Sequence, residues 1–207
     1  MNDDRQFAPA VARNQGPILQ QLTKLLHSGD RVMEIASGTG EHGVYFSQHL
    51  PEIIWQPTNL EPDHLRSASA WQKHAGLENL LPVLGLDATS THWPVEEADY
   101  QYGPFSAIFN ANMIHISPWF VTEGLMHGAG RVLQSGGRLI LYGPYKIDGK
   151  HTAPSNIEFD NWLKEKDERF GVRDLADISA VAENNGLVHK QSIPMPANNF
   201  IQLFEKS

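Results

Sequence analysis

The stretch Arg31-Val32-Met33-Glu34-Ile35-Ala36-Ser37-Gly38-Thr39-Gly40 constrains this chain more than any other. It reads as a short apolar strand that carries an acidic residue, followed by a glycine-rich turn. A segment of helical character, Glu41 to His49, opens directly behind it. Gly38 and Gly40 have no Cβ, so the backbone there is free to take positive φ and to lie close against a ligand. The start of the following helix offers free N–H groups and partial positive charge at the same place.

Two ligand classes fit this turn. Gly38-Thr39-Gly40-Glu41-His42-Gly43 satisfies the dinucleotide fingerprint G-x-G-x-x-G behind a strand. The longer pattern, acidic-x-x-x-Gly-x-Gly from Glu34, resembles the first motif of class I S-adenosylmethionine-dependent methyltransferases. Glu34 separates the two, because dinucleotide folds usually carry an apolar strand residue there, whereas a carboxylate can orient the turn and face the cationic methionine part of a methyl donor. A strand-to-helix turn with no ligand is the third reading.

The chain has 207 residues, 41% of them hydrophobic and 19% charged, which suits one soluble globular domain with a full core, 1–207, with an N-terminal helical segment, 8–28, packing on its sheet. The formal charge is −8, and 16 Lys and Arg are scattered rather than gathered in stripes. Nucleic acid is therefore not expected as a partner, and a neutral or cationic small molecule fits the balance better. With 0 cysteines there is no disulfide, thiolate metal site or cysteine nucleophile. No apolar run reaches membrane-spanning length, and the polar start Met1-Asn2-Asp3-Asp4-Arg5 is unlike a signal peptide, so a cytoplasmic protein without membrane partners is expected.

Apolar periodicity predicts alternating helices and strands. Helical pattern runs from Ala8 to Asn14, breaks at Gly16-Pro17, and resumes through Ile18, Leu22 and Leu26. Strands are expected at 31–35, 53–60, 81–86, 105–111 and 138–142. Helices are expected at 41–49, 62–74 and 121–133, and again behind Asp174 as N-cap, stopping at Asn185-Gly186. Two β-rich runs, 187–193 and 200–204, finish the chain. Repeated βα units imply an α/β, Rossmann-like fold with a mostly parallel seven-stranded sheet, helices on both faces and a C-terminal antiparallel hairpin. That is how a class I methyltransferase sheet ends, whereas a dinucleotide domain usually repeats βαβ throughout.

Ligands of doubly wound sheets sit beyond the carboxyl ends of the strands. The first end supplies Glu34, Gly38 and Gly40. The second supplies Asn59 and Glu61. Methyltransferases usually place an acid for the ribose hydroxyls where Asn59 stands; its amide is able to accept one hydroxyl and donate to the other, and Glu61 is the alternative carboxylate, or else a solvated helix cap. The third end gives Asp87, which resembles the acid that accepts from the adenine amino group, with the N–H of Ala88 beside the ring; an Asp there is also a common turn former. The fourth gives Asn110, followed by Ala111-Asn112-Met113-Ile114-His115. This is not the Asp/Asn-Pro-Pro-aromatic signature of enzymes that methylate nucleic-acid bases.

Several strings are more particular than the fold requires: Ser37-Gly38-Thr39-Gly40-Glu41-His42, Asn110 through Trp119, Tyr142-Gly143-Pro144-Tyr145, His151 through Asn156, and Met195-Pro196-Ala197-Asn198-Asn199. With Arg13-Asn14 they resemble the methyltransferase-like family called domain of unknown function 938, over nearly the whole chain. The resemblance implies a class I methyltransferase fold that uses S-adenosyl-L-methionine, yields S-adenosyl-L-homocysteine, and acts on an unassigned acceptor. Arg13, Asn14, Asn112, His151, Asn156, Asn198 and Asn199 are candidates to surround one pocket, with Trp119, Tyr145 and Phe159 as aromatic walls; each taken singly is also an ordinary buried polar group or loop brace.

Methyl transfer from a sulfonium is driven largely by proximity and alignment. Where the acceptor must lose a proton, His115 is the first candidate base and Tyr142 the second. The 10 histidines show no i, i+4 pair with a carboxylate of the kind zinc enzymes use, so no metal is expected. The rival classes are a noncatalytic cofactor-binding or interaction protein on this scaffold and an NAD-dependent oxidoreductase.

Overall fold

The computed structural model describes residues 3–207. Its first half runs α1 (Pro9–Leu25), β1 (Arg31–Ile35), α2 (Glu41–His49), β2 (Ile54–Asn59), α3 (Pro62–Ala75), β3 (Leu84–Gly85) and β4 (Phe105–Ala111). Its second half runs α4 (Trp119–Val132), β5 (Leu133–Gly143), β6 (Lys146–Ile147), β7 (Lys150–His151), α5 (Pro154–Lys166), α6 (Leu175–Glu183), β8 (Leu187–Met195) and β9 (Asn199–Lys206). Seven strands form one mostly parallel sheet in the order β3-β2-β1-β4-β5-β9-β8, and β6 with β7 makes a separate two-stranded ribbon. β1 with β2 and β2 with β3 are parallel, while β9 is antiparallel to both β5 and β8. The α/β class and the closing antiparallel pair follow the sequence pattern.

The chain packs as two compact units. The first holds the described residues up to Asp87 together with Trp93–Phe109. Its centre is aromatic: Phe46 meets Trp55 at 5.4 Å and Phe109 at 5.7 Å between ring centres, and His42 stacks on Phe46 at 5.1 Å. These residues come from α2, β2 and β4, so burial of their rings fixes α2, and the glycine turn before it, against the strands. The second unit holds Ala88–His92 and the chain from Asn110 onward. Its core comes from α4 (Leu125, Met126, Ala129), α6 (Ile178, Ala182) and the strands behind them (Leu139, Leu187, Ile201, Phe204), all fully buried.

Four elements depart from the periodicity. α1 is one helix straight through Gly16-Pro17 rather than two segments. A residue before proline normally avoids helical backbone because its Cβ and N–H meet the proline ring, and Gly16 has no Cβ. The third strand shrinks from 81–86 to Leu84–Gly85, because Pro82 has no N–H for the ladder; the Gln56 side chain donates to the Pro82 carbonyl instead, at 2.8 Å. The fifth strand begins at Leu133, where α4 ends, five residues before the expected Arg138. Helix α5 has no counterpart in the apolar pattern, since its buried positions include Asn156 and Asp160 as well as Leu163. The β6–β7 ribbon turns at Asp148-Gly149, both at positive φ, a hairpin signal visible in the sequence. Among the described residues no helix is long and apolar enough to cross a membrane.

Candidate functional site

The glycine turn is held by the end of β2 in its unit. Asn59, at the end of β2 and 2% exposed, accepts from the N–H of Gly38 at 2.9 Å and donates to the carbonyl of Gly38 at 3.1 Å. Ser37 N–H donates to the Thr58 carbonyl at 2.8 Å, and the Ser37 hydroxyl accepts from Thr58 N–H at 3.2 Å. The turn residues Ala36, Gly38 and Gly40 all have positive φ. At Gly40 this is compulsory on two counts: φ is +94°, and a Cβ there would lie 2.6 Å from the Cα of Ala68 in α3. At Gly38, φ is +58° and nothing lies within 4 Å of where a Cβ would be. One glycine is needed for close packing, and the other opens onto free space.

Glu34 does not reach that space. It is 2% exposed, its Oε2 accepts from Trp55 Nε1 at 2.9 Å, and the same oxygen would lie 3.3 Å from a Cβ on Gly43. Burial pushes its carboxyl up to about 7, with the Trp55 and Ser37 hydrogen bonds pulling the other way. Its place is beneath the turn, between β1, β2 and α2, and the expected contact with a ligand's cationic end gives way to a bracing role.

Asn59 likewise uses its amide oxygen and nitrogen on the backbone of Gly38, where a ribose contact was expected. Glu61 stands exposed at the N-cap of α3 and makes no side-chain cap bond. Asp87 is exposed just past β3, where the N–H of Leu86 donates to the Asn59 carbonyl at 2.9 Å. Gly38, Gly40, Asn59, Glu61 and Asp87 thus gather at strand ends of the first unit. Arg13 is exposed on α1, and Asn14 beside it is tied to His42 Nε2 at 2.8 Å. Burial holds the His42 imidazole down at about 4, so it is neutral at pH 7.

In the second unit Ala88 and Asn110 are buried. The Ala88 carbonyl packs so tightly against α4 that a Cβ on Gly124 would come within 2.6 Å of it. Asn112 adopts φ +65° and starts the 3-10 turn Met113–His115, and its N–H donates to the carbonyl of Tyr142, itself 5% exposed. His115 has no exposed surface. Its Nδ1 accepts from the N–H of Arg173 at 3.4 Å, its carbonyl accepts from Gly171 N–H at 3.0 Å, and its ring meets Tyr145 edge-on at 5.2 Å. Burial, helped by the Arg173 charge, lowers the imidazole to about 3. A base role there requires the loop to open; in the folded arrangement His115 braces the segment 112–117 against 171–173.

Arg173 completes that brace by donating to the carbonyls of Ile114, Ser117 and Arg169. Its guanidinium also lies over Trp119, 5.7 Å from the ring centre. Trp119 borders an open cleft of about 920 Å³ with Lys146, Arg173 and Asp174. Tyr145, His151 and Asn156 do not line that cleft. Tyr145 is fully buried, its hydroxyl donating to the Leu141 carbonyl, and burial raises it above the usual phenol range. Asn156 donates to Thr152 Oγ1 and to the Asn198 carbonyl, both at 3.0 Å; Asn198 donates to Ser155 Oγ, and Asn199 to the carbonyls of Pro196 and Ala197. These asparagines tie the start of α5 to the β8–β9 turn.

The sequence pattern does not single out Asp160, yet it is the hub of the second unit. It is 4% exposed on its side chain, and takes Lys164 at 2.8 Å, Lys146 and His151 at 3.2 Å, and the Val172 N–H at 2.7 Å. Burial works against its charge, but the bonds from Lys164, Val172 and Lys146 prevail and bring it down to about 2. Among the described residues no cluster of His, Asp and Glu forms a metal-holding group.

Solved structures share this architecture. An O-methyltransferase family protein from Burkholderia thailandensis superposes with a TM-score of 0.76 at 15% identity, over 96% of this chain and 57% of its own. An O-methyltransferase family 2 protein from Planctomyces limnophilus, in complex with apigenin, gives 0.74 at 18% over 96% and 60%. PigF with SAH gives 0.77 at 14% over 95% and 57%. The chain therefore spans less than two thirds of the length of these neighbours, and at such identities the likeness is one of fold: a methyltransferase-like α/β sheet. Residues 5–206, from the segment ahead of α1 to the last strand, match the family model described as protein of unknown function DUF938, and the chain belongs to that family.

Proposed function

We propose that this protein is an S-adenosylmethionine-dependent methyltransferase acting on a small-molecule acceptor. The observation that carries the reading is the open space over Gly38, at φ +58°, on a turn whose other glycine is packed tight and whose backbone is clamped by Asn59. The left-handed backbone by itself favours glycine at this place, and the empty space beyond it leaves room for a ligand. A ligand lying against the backbone uses both, the exposed turn and the absent side chain. The fold it shares with an O-methyltransferase family protein, and with PigF, which is solved with SAH, supports a methyl donor over a dinucleotide.

In this reading Gly38 and Gly40 give the ligand access to the turn, and Asn59 and Glu34 hold the turn in shape from beneath. Glu61 takes the ribose hydroxyls and Asp87 the adenine amino group. The group supplies, when bound, a methyl already activated as a sulfonium. What the chain's own residues contribute is position. The acidic balance of the chain, −8, favours a neutral or cationic acceptor over nucleic acid.

Binding without turnover is the second reading, favoured by the full burial of His115, which leaves the first candidate base without an open face. Calorimetry with S-adenosylhomocysteine, S-adenosylmethionine and NAD in parallel tests the cofactor, with affinity for the first two and none for NAD expected. NAD binding in their place overturns the assignment. Incubation of the protein with labelled methyl donor and a metabolite extract then separates transfer from binding alone.

A further inference from the structure

Segment 5–8, ahead of α1, is fastened to the glycine turn by two side chains that each bridge both. The N–H of Gln6 donates to Ser67 Oγ at 2.9 Å, and Ser67 Oγ donates to the Thr39 carbonyl at 2.7 Å. The N–H of Ala8 donates to Glu41 Oε2 at 2.6 Å, and the same oxygen accepts from Thr39 Oγ1 at 2.8 Å. Both bridges end on Thr39, the residue between Gly38 and Gly40. Trp71 supplies the remaining hold: its Nε1 donates to the Gln6 carbonyl at 2.9 Å, Phe7 meets its ring at 5.1 Å, and the Arg5 guanidinium lies 4.9 Å from its centre.

Two features set this apart from ordinary packing. Ser67 is wholly buried in mid-helix, where alanine is the better helix former; its hydroxyl finds its use in the bridge. Phe7 is 66% exposed, so apolar burial contributes little to holding the segment down, and docking rests on polar contacts that share the turn.

We propose that residues 5–8 are a strap linked to the cofactor turn, with Ser67 and Glu41 as positioning residues: docking of the strap fixes Thr39 for the ligand, and ligand on the turn fixes the strap. The inference rests on the cofactor reading for its ligand. Linkage makes the coupling reciprocal, so each event favours the other by the same factor.

Limited trypsin digestion of the full chain reads the strap directly at the Arg5–Gln6 bond, with the exposed Lys150 at the start of β7 as an internal control. Saturating S-adenosylhomocysteine is expected to slow cleavage after Arg5 and leave Lys150 unchanged. Ser67→Ala removes one bridge; cleavage after Arg5 without ligand is expected to rise about 3- to 10-fold, and affinity for S-adenosylhomocysteine to fall within the same range. Equal acceleration at Arg5 and Lys150 means general destabilisation and overturns the proposal. So does a wild-type protein that binds S-adenosylhomocysteine with unchanged cleavage at Arg5, an outcome that leaves the cofactor reading standing. A wild-type protein that binds no S-adenosylhomocysteine removes the cofactor reading and the linkage with it. Should Ser67→Ala fail to fold, the wild-type comparison with and without ligand still decides.

Discussion

The side-chain amide of Asn59 closes on Gly38 from both sides, accepting from its N–H at 2.9 Å and donating to its carbonyl at 3.1 Å. An amide suits this place and a carboxylate does not, because only the amide offers donor and acceptor together. Asn59→Asp keeps the acceptor but sets a negative charge against the Gly38 carbonyl. We expect it to cost about 1–3 kcal/mol of stability and to weaken S-adenosylhomocysteine binding, checked by denaturant unfolding and calorimetry. An Asn59→Asp protein that binds more tightly than wild type would mean that the residue faces the ribose and not the turn.

The two turn glycines are expected to respond differently to alanine. Gly38→Ala meets no neighbour and carries only the left-handed backbone cost, about 1 kcal/mol; the protein should fold and lose ligand affinity. Gly40→Ala forces a Cβ to within 2.6 Å of Ala68 Cα and should lower the unfolding temperature sharply. Thermal unfolding of both variants, beside calorimetry on the first, separates packing from access. Unimpaired binding in folded Gly38→Ala refutes the open face as a ligand surface.

Stability between pH 5 and 6 reports three buried groups. His42 and His115 are held down to about 4 and about 3, so the folded state keeps them neutral where the unfolded chain binds two protons. Glu34 is pushed up to about 7, so the folded state keeps a proton that the unfolded chain releases. The net uptake on unfolding is one proton, and stability should fall by about 1.4 kcal/mol for each unit of pH lost in this range. Glu34→Gln removes the opposing proton and should double the slope to about 2.7 kcal/mol per unit. Urea melts at several pH values measure both slopes; an unchanged slope in the variant means that Glu34 is ionised in the fold.

Gly143→Ala tests the brace around His115. A Cβ at Gly143 would lie 2.5 Å from His115 Nε2, inside a region with no exposed surface into which the ring can retreat. Overpacking of this kind costs about 1–3 kcal/mol, and we expect that loss in chemical denaturation. A neutral Gly143→Ala would show that the His115 ring moves freely, which would restore it as a candidate base.

Asp160→Asn probes the hub of α5. The carboxylate stays charged in the fold down to about pH 2, against about 4 in the unfolded chain, so its contribution is complete above that upper value and disappears as pH falls through the lower one. The variant should be less stable at pH 7 by about 1.5–3 kcal/mol, with the difference from wild type shrinking below pH 4. Acid titration of both proteins by circular dichroism checks it.

Alternation of apolar strands with helical patterns determined the sheet class and the place of the glycine turn, because these depend on local period and on the absence of a side chain at Gly38 and Gly40. It also placed β1, α2 and β4 at their observed bounds, and made Asp174 the N-cap of α6, where its side chain accepts from Ala176 N–H at 2.9 Å. Which way a polar side chain turns was decided only by the tertiary structure. Glu34, Asn59 and His115 each stand at a strand end or just beyond one, the position that marks a ligand contact, and each is turned inward to hold backbone or a buried ring. The same holds for α5, whose buried face includes Asn156 and Asp160: polar groups count as core once partners satisfy them. Those partners, Asn198 for one and Lys146 and Val172 for the other, are distant in sequence or on separate elements. Period in a sequence registers hydrophobicity along one element, whereas satisfaction of a buried polar group depends on what folding brings beside it.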